Sequence, residues 1–475
     1  MSCDAPIILW FRQDLRLADN PALHAAVQSG RPVIPLFVLH TASDGRAWGA
    51  ASLLWLDKSL KALAADLEKR GSRLILRRGD PALVVASLAQ AMGADVFWNR
   101  LYGKQAVTRD SDLKAELSAT SFNASLLVEP WEVKSGQGRA YAVFTPFWKA
   151  AQAQIKDRAQ IEGQPLHRAP QTIRAPAHWP DSDRLSAWKL HPSKPDWSKG
   201  FDGTPGEAGA HEALSQFTSR RLTDYPEMRN RPDNAGTSRL SAHLQWGEIG
   251  PRQVREAVLG AVDRDKIAAP VGDKYLAEIG WREFNHHLLH QHGALHQRNI
   301  RRDFDAFAWR KDKTDLAAWK EGLTGYPLVD AGMRQLWATG FMHNRVRMVA
   351  ASFLIKHLLI DWREGEAWFW NTLSDACAAN NPANWQWSAG CGADAAPFFR
   401  IFNPTAQGER FDPSGDYVRR WVPELKAVPD KFIHRPWEAA VKGYPKPIVQ
   451  HEAARARALA AFKSMREAED ALDFE

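Results

Sequence analysis

Residues 341–404 combine side chains suited to holding a flat aromatic molecule. The segment contains Trp385 and Trp387 together with Asn344, Asn381 and several arginines. Tryptophan is large and its indole N–H needs a partner when buried, yet this chain has 21 Trp and only 7 Tyr. Indoles beside Arg and Asn indicate a site for a flat aromatic ligand, a nucleic-acid base or electron transfer.

A second candidate site is the sequence Gly-Thr-Ser-Arg-Leu-Ser at residues 236–241. Small hydroxyl residues precede a helix pattern there, so backbone N–H groups and hydroxyls can face an anion such as a phosphate. Arg239 would add positive charge. A plain helix N-cap, which needs only one Ser or Thr, explains the same residues, and both interpretations stay open at this point.

Five histidines between residues 286 and 296 raise the question of a metal site. His286 and His290 are four residues apart on a predicted helix, which is the spacing of a ligand pair. The acidic residue of a His-Glu-x-x-His motif is missing. We therefore predict solvated or core-edge histidines and no metal.

The first 130 residues alternate strand and helix patterns. Short apolar runs, typical of buried parallel strands, occupy residues 7–11, 33–39, 73–77 and 95–98. Asn20-Pro21 and Asp80-Pro81 each read as an N-cap followed by Pro at the first helical position. The alternation predicts an α/β domain with a doubly wound parallel sheet, whose functional site lies at the carboxyl ends of the strands.

The rest of the chain divides into two parts that differ in composition and in the period of their apolar residues. Residues 160–205 are rich in Pro, Gly and polar residues, which is typical of a connector. From about residue 206 the apolar period is helical, with patterns at residues 212–222, 251–262, 275–292, 332–359 and 451–470. We predict an α/β domain over residues 1–130, a connector over 131–205 and an all-α domain over 206–475.

Composition is that of a soluble globular protein, with 45% hydrophobic and 25% charged residues in 475. The net charge of +7 and the pI of about 9.2 are compatible with a polyanionic partner. Cys3, Cys377 and Cys391 form no C-x-x-C pair, which favours a reducing compartment. The N-terminus lacks a signal-peptide pattern, and the longest apolar stretch, residues 348–360, is broken by Lys356 and too short for a bilayer. We expect a cytoplasmic protein.

Several longer motifs occur together and in order along nearly the whole chain. They are WFRQDLRLADNPAL (10–23), GTSRLSAHL (236–244), EIGWREFNHHLL (278–289), GYPLVDAGMRQL (325–336), FMHNRVRMVAASFL (341–354), DWREGE (361–366), NWQWSAG (384–390) and DAAPFFRIFNPTAQGERFD (394–412). In this combination the chain resembles the DNA photolyase/cryptochrome family, and within it the bacterial cyclobutane pyrimidine dimer photolyases.

The resemblance implies an all-α FAD-binding domain at the C-terminal end and light-driven repair of pyrimidine dimers in single- or double-stranded DNA by a monomer. The FAD phosphates and ribitol would be held by Tyr225, Thr237, Ser238, Arg239, Leu240 and Ser241. The isoalloxazine would be surrounded by Asn344, Arg347, Asp375 and Asn381, with Asp375 pairing with Arg347 and Asn381 at the flavin N5. An amide can donate or accept a hydrogen bond there as the flavin changes redox state.

The same resemblance implies a substrate pocket. The flipped dimer would be received by Glu278, Trp281, Asn344, Met348 and Trp387, and Arg229, Arg345 and Arg400 would add positive charge around the hole. Glu278, Asn344 and Asn381 would act in catalysis. Glu278 lies three residues before Trp281 on one helical face, and burial there would favour a protonated carboxyl that donates to a pyrimidine carbonyl.

Three tryptophans, Trp309, Trp362 and Trp385, match the family's electron-transfer triad, whereas core packing alone explains each of them singly. Some positions depart from the family pattern. Cys377 stands where a second Asp is usual near the flavin, and Tyr275 and Phe341 replace frequent tryptophans. Ala106 and His296 stand where folate-binding members carry Glu and Lys, which disfavours folate and leaves a deazaflavin, another antenna chromophore or none.

Three other functions are compatible with parts of the pattern. A cryptochrome-like photoreceptor would share the FAD site and the triad, but this chain keeps Trp281, Met348 and Trp387 and ends soon after the shared core. A (6-4) photolyase would typically carry histidines in place of Asn344 and Met348. An unrelated electron-transfer flavoprotein would have no need of a basic, dimer-sized hole.

Overall fold

The computed structural model describes residues 5–40, 46–162, 165–194, 196–264, 266–439 and 441–472. The strands in these ranges are β1 (Ile7–Phe11), β2 (Val33–Leu39), β3 (Ile75–Arg78), β4 (Asp95–Asn99) and β5 (Ala119–Phe122). The helices are α1 (Pro21–Gln28), α2 (Ala50–Glu68), α3 (Pro81–Met92), α4 (Lys104–Glu116), α5 (Phe144–Glu162), α6 (Glu207–Arg220), α7 (Tyr225–Met228), α8 (Ser241–Trp246), α9 (Pro251–Val262), α10 (Ala269–His292), α11 (Lys313–Glu321), α12 (Pro327–Thr339), α13 (Asn344–Ser352), α14 (Trp362–Thr372), α15 (Asn380–Ala389), α16 (Pro404–Phe411), α17 (Asp416–Trp421) and α18 (His451–Leu472). A π-helix spans Phe353–His357, and short 3-10 helices span Leu185–Trp188, Ser198–Gly200, Arg302–Ala306, Pro423–Leu425, Asp430–Phe432 and Pro436–Glu438.

The N-terminal part is a parallel sheet in the order β3-β2-β1-β4-β5. The central strand β1 is fully buried, as its uninterrupted apolar sequence predicts. Asn20 accepts a hydrogen bond from the Leu23 N–H and Asp80 from the Ala82 N–H, so both predicted N-caps are confirmed. The predicted doubly wound α/β fold is confirmed, although β5 was missed because this edge strand is only half-buried.

The C-terminal part is helical, as predicted, but the pattern over residues 332–359 is not one helix. α12 ends at Thr339, and Gly340 takes a left-handed conformation with φ of 67°. A Cβ at this position would collide with the Phe201 ring, so only glycine fits. The chain restarts as α13 at Asn344, which places Asn344 and Arg345 in a first helical turn rather than in mid-helix.

The predicted connector over residues 131–205 contains α5, a 19-residue helix that packs against α10. Beyond α5, the described residues up to 205 form only two short 3-10 helices. The Pro-rich composition of residues 160–205 predicts a segment without long helices, but it gives no signal for α5, which precedes it. The domain limits themselves remain a prediction.

Within the described ranges, no helix is long and apolar enough to cross a membrane. Cys377 and Cys391 are buried and form no disulfide. Cys3 lies outside the described residues.

Candidate cofactor and substrate site

The hydroxyl-rich turn at residues 236–241 is tightly built. Gly236 is buried, and a Cβ there would approach the Met228 side chain to 2.6 Å. Arg239 has a φ of 61°, a left-handed conformation that reverses the chain before α8. Leu240 occupies the N-cap position, and no side chain caps the helix. A plain N-cap therefore does not explain why the hydroxyl residues stand here.

The hydroxyls of this turn are available to a ligand. Within the described chain, the side chains of Thr237 and Ser241 make no hydrogen bond, and Ser238 accepts only a long one of 3.4 Å from the Leu240 N–H. Burial raises the pKa of Tyr275 to about 12, while a hydrogen bond with Ser238 acts in the opposite direction. The Thr237 and Ser241 hydroxyls, unpaired in the described chain, lie beside a left-handed residue and form a polar cradle suited to phosphate groups.

One cleft of about 490 Å³ joins this turn to a second set of predicted residues. Ser238, Arg239 and Ser241 line it together with Phe341 and Asp375. The Arg239 guanidinium lies 3.7 Å above the Phe341 ring and forms a 3.0 Å ion pair with Asp202. The structure therefore brings together side chains that are more than 100 positions apart in sequence.

Arg347 and Asp375 form a bidentate ion pair. Two guanidinium nitrogens donate to the two carboxylate oxygens at 3.1 and 2.9 Å, and Nε donates to the Met342 carbonyl at 2.8 Å. The Asp375 side chain is 7% exposed and that of Arg347 is 24% exposed. Two parallel charge-assisted bonds fix both groups, so Asp375 lines the cleft as an anion that Arg347 holds rigidly.

Asn381 belongs to a chain of contacts that sequence reasoning missed. Its amide nitrogen donates to the Glu366 carbonyl at 3.0 Å and to the Glu366 carboxylate at 2.7 Å. Glu366 in turn accepts two bonds of 2.8 Å from Arg46 of the α/β domain. Glu366 lies in the DWREGE motif, but Arg46 is 320 positions away and carried no signal in the sequence.

Cys377 lies between the two halves of the molecule. It is buried, its sulfur accepts from the Asn380 N–H at 3.4 Å, and burial raises its pKa. With Ala106, Tyr102, Arg109 and other residues it lines a cleft of about 580 Å³ at the carboxyl edge of the sheet. This is the edge where a parallel sheet is expected to bind ligands.

Two consecutive residues, Arg229 and Asn230, connect predicted substrate residues on two different helices. Arg229 forms an ion pair of 2.6 Å with Glu278 of α10, and Asn230 accepts a 2.8 Å hydrogen bond from Arg345 of α13. Glu278 is 32% exposed. The ion pair therefore places a guanidinium directly beside the Glu278 carboxyl group.

The other predicted substrate residues are partly exposed. Trp281, one turn beyond Glu278 on α10, is half-buried and stacks on Phe144, with centroids 3.9 Å apart and planes at 9°. One face of Trp281 is therefore covered by α5. Met348 and Trp387 are half-buried and Asn344 is exposed, so all three offer surface to a ligand.

Positive charge accumulates around Arg345. Burial and the neighbouring Arg229, Arg410 and Arg400 lower its pKa, and its guanidinium lies 4.6 Å above the Phe411 ring. Phe399, next to Arg400, is 63% exposed. An exposed aromatic beside a group of arginines is the arrangement of a side chain that inserts between bases, and it was not singled out from the sequence.

The three tryptophans of the predicted triad belong to one hydrophobic cluster. Trp362 is fully buried and its indole N–H donates to Asn299 at 2.9 Å, while Trp385 packs edge-on against Trp319 with centroids 6.1 Å apart. Trp309 is half-buried beside Phe307 at the rim. It lies in a loop that precedes α11.

The histidine cluster is tied into the fold. His286 is bonded to the Arg282 carbonyl at 2.9 Å, and burial lowers its pKa to about 3. His287 contacts the Pro130 carbonyl and the Tyr141 N–H. The described residues contain no group of three His, Cys, Asp or Glu side chains that could hold a metal ion.

Comparisons with known proteins match both halves of the chain. The family described as DNA photolyase matches residues 7–171, and the family described as the FAD binding domain of DNA photolyase matches residues 275–464. The deoxyribodipyrimidine photo-lyase of Agrobacterium fabrum is 48% identical, with 97% of this chain and 98% of that protein covered.

A more distant relative is cryptochrome-1 of Arabidopsis thaliana, which is 36% identical, with 98% of this chain and 71% of that protein covered. Among solved structures, the bacterial class III photolyase from Agrobacterium tumefaciens superposes with a TM-score of 0.92 at 48% identity, covering 98% of both chains. The resemblance inferred from the motifs is confirmed: the chain belongs to the DNA photolyase family, and its helical part is that family's FAD-binding domain.

Proposed function

We propose that this protein is a deoxyribodipyrimidine photo-lyase that splits cyclobutane pyrimidine dimers in DNA under blue light. The observation that carries the proposal is the bridge made by Arg229 and Asn230, which bind Glu278 and Arg345 respectively. It joins the substrate residues of α10 and α13 around one basic, partly exposed site. A photoreceptor or a simple electron carrier has no need of this arrangement.

FAD fits the residues that are present. The turn at 236–241 offers free hydroxyls, and its cleft also contains Asp375, held by Arg347. In this proposal Tyr225 and the turn bind the phosphates and ribitol, while Arg347, Asp375, Asn344 and Asn381 surround the isoalloxazine. When bound and reduced, FAD supplies the light-driven electron that opens the dimer and regains it afterwards.

The chain's own residues position and support the lesion. The open face of Trp281, with Trp387 and Met348, provides flat apolar walls for two fused pyrimidines, and Asn344 provides a free amide. Arg229, Arg345 and Arg400 bind phosphates beside the flipped nucleotides. Glu278 donates a hydrogen bond to a pyrimidine carbonyl, where negative charge develops as the dimer accepts the electron, which makes it a transition-state rather than a binding contact.

Two further assignments supplement this proposal. Trp385, Trp362 and Trp309 would carry electrons from the rim of one shared cluster to oxidised FAD. An antenna chromophore, if the protein carries one, would occupy the cleft between the halves and would be other than folate, because Ala106 supplies no carboxylate there and Arg78 and Arg109 favour an anionic ligand. A monomeric state and a cytoplasmic location also stay predictions.

Binding measurements test this function. Duplexes with a thymine dimer, with a (6-4) photoproduct and without damage would be compared at physiological salt in the dark. We expect clear preference for the thymine dimer, because a damaged pair is cheaper to unstack. Equal affinity for damaged and undamaged duplex would favour a cryptochrome-like role, and preference for the (6-4) product would favour the other repair class.

A further inference from the structure

Arg46 reaches from the α/β domain into the helical domain and is held rigidly there. Its guanidinium lies 4.4 Å above the Trp370 ring, and the Trp370 indole N–H donates to the Ala47 carbonyl at 2.7 Å. Trp48 stacks on the same indole, with planes at 8°. One guanidinium nitrogen, Nη1, donates to both carboxylate oxygens of Glu366 at 2.8 Å, so the Arg46 side chain is fixed on both sides.

Glu366, which Arg46 holds in place, fixes the orientation of the Asn381 side chain. The side chain of Glu366 is 2% exposed, and the two oxygens that face the Asn381 amide are a backbone carbonyl and a carboxylate oxygen. Neither group donates while the carboxylate is ionised. The NH₂ end of the amide must therefore face Glu366, which leaves the amide oxygen, without a partner in the described chain, for a ligand.

Arg46 keeps this arrangement in place because it keeps Glu366 ionised. Burial raises the pKa of Glu366, and the hydrogen bonds and charge of Arg46 and the bond from Asn381 oppose that rise. Without Arg46, a buried carboxyl favours its protonated form. A protonated Glu366 can donate, and it then competes for the amide oxygen of Asn381.

We infer that Arg46 is a positioning residue that, through Glu366, presents the Asn381 amide as a hydrogen-bond acceptor to bound FAD and so favours the reduced cofactor. Oxidised flavin N5 only accepts, whereas reduced flavin carries a proton there and donates. A fixed acceptor therefore stabilises the reduced form more. The inference rests on the proposed function, because it needs FAD beside Asn381.

The test is the two-electron midpoint potential of bound FAD, measured with the dissociation constant for FAD and the melting temperature. In Arg46→Ala we expect a lower potential, with the preference for reduced FAD weakened roughly tenfold, or about 30 mV. Arg46→Lys keeps the charge and a single nitrogen donor but not the planar guanidinium over Trp370, and it should recover part of the shift. In an Asn381→Ala background, Arg46→Ala should cause no further shift.

Arg334→Ala is the matched control, because Nη1 of Arg334 likewise donates to both carboxylate oxygens of one residue, Glu424, and its side chain has the same 19% exposure as that of Arg46. This variant should leave the potential unchanged. If Arg46→Ala lowers only the melting temperature, the contact merely holds the domains together and the inference is wrong. If Arg46→Ala does not fold, an unchanged potential in both Arg46→Lys and Glu366→Gln overturns it. If Asn381→Ala alone leaves the potential unchanged, the placement of FAD is at fault instead.

Discussion

Replacing Asp375 with Ala removes one half of the bidentate pair with Arg347. The carboxylate is 7% exposed and receives bonds of 3.1 and 2.9 Å. Removing one partner of a fully buried pair costs about 3–5 kcal/mol. Arg347 is 24% exposed and keeps its bond to the Met342 carbonyl, so water and this carbonyl offset part of the loss.

We therefore expect a cost below that range, about 2–3 kcal/mol. As an upper limit, with the whole cost falling on the FAD complex, the dissociation constant for FAD rises roughly 30- to 150-fold. Asp375→Asn keeps the shape and one acceptor but loses the charge, so its effect should be smaller. The direction follows from the loss of the Asp375 carboxylate, which lines the cleft, and of the fixed orientation that it gives to Arg347.

The assay is titration of apoprotein with FAD, followed by flavin fluorescence, with the folded fraction checked by circular dichroism. Glu424→Ala serves as control, because it breaks an ion pair with Arg334 that lies outside the clefts described above. An Asp375→Ala protein that is folded and binds FAD within twofold of the parent would refute the assignment of this pair to the cofactor.

Four further outcomes are expected. Trp309→Phe should stop photoreduction of oxidised FAD by external donors but spare dimer repair by chemically reduced enzyme; equal loss of both would make Trp309 structural. Glu278→Ala should lower the repair yield per absorbed photon more than dimer affinity, and Glu278→Gln should be milder; a change in affinity alone would make Glu278 a binding residue. Affinity for DNA should fall steeply with salt, because Lys and Arg release counterions from phosphates, and a flat dependence would contradict phosphate contacts. Burial raises the pKa of Glu283 to about 7, so the folded state binds more protons than the unfolded state between pH 4.5 and 7. As pH rises through this window, the free energy of unfolding of the parent should therefore fall by up to roughly 3 kcal/mol relative to that of Glu283→Gln. Parallel pH profiles of the two proteins would refute this prediction.

The sequence predicted those parts of the fold that depend on local pattern. The run Ile7–Phe11 is apolar throughout and forms the buried central strand, and both Pro-initiated helices begin where their caps predict. The break after α12 was missed, because the collision that requires glycine at 340 involves Phe201 from a distant loop. Steric demands of this kind have no local signal.

The candidate site shows the same division. Motif resemblance identified Arg347, Asp375 and Asn381, and the bond between the first two is present in the structure. Arg46 was not identified, because its role depends on a contact between domains across 320 positions. The contact of Glu278 with Arg229 was likewise missed, although the resemblance had named both residues separately.

The most direct measurement is repair of an oligonucleotide with a single thymine dimer by the purified, FAD-loaded and reduced protein. We expect intact thymines to be restored under blue light. We expect no restoration in the dark and none from protein stripped of flavin. Intact dimers after illumination, with FAD bound, reduced and the DNA retained, would contradict the assignment of this protein as a dimer photolyase.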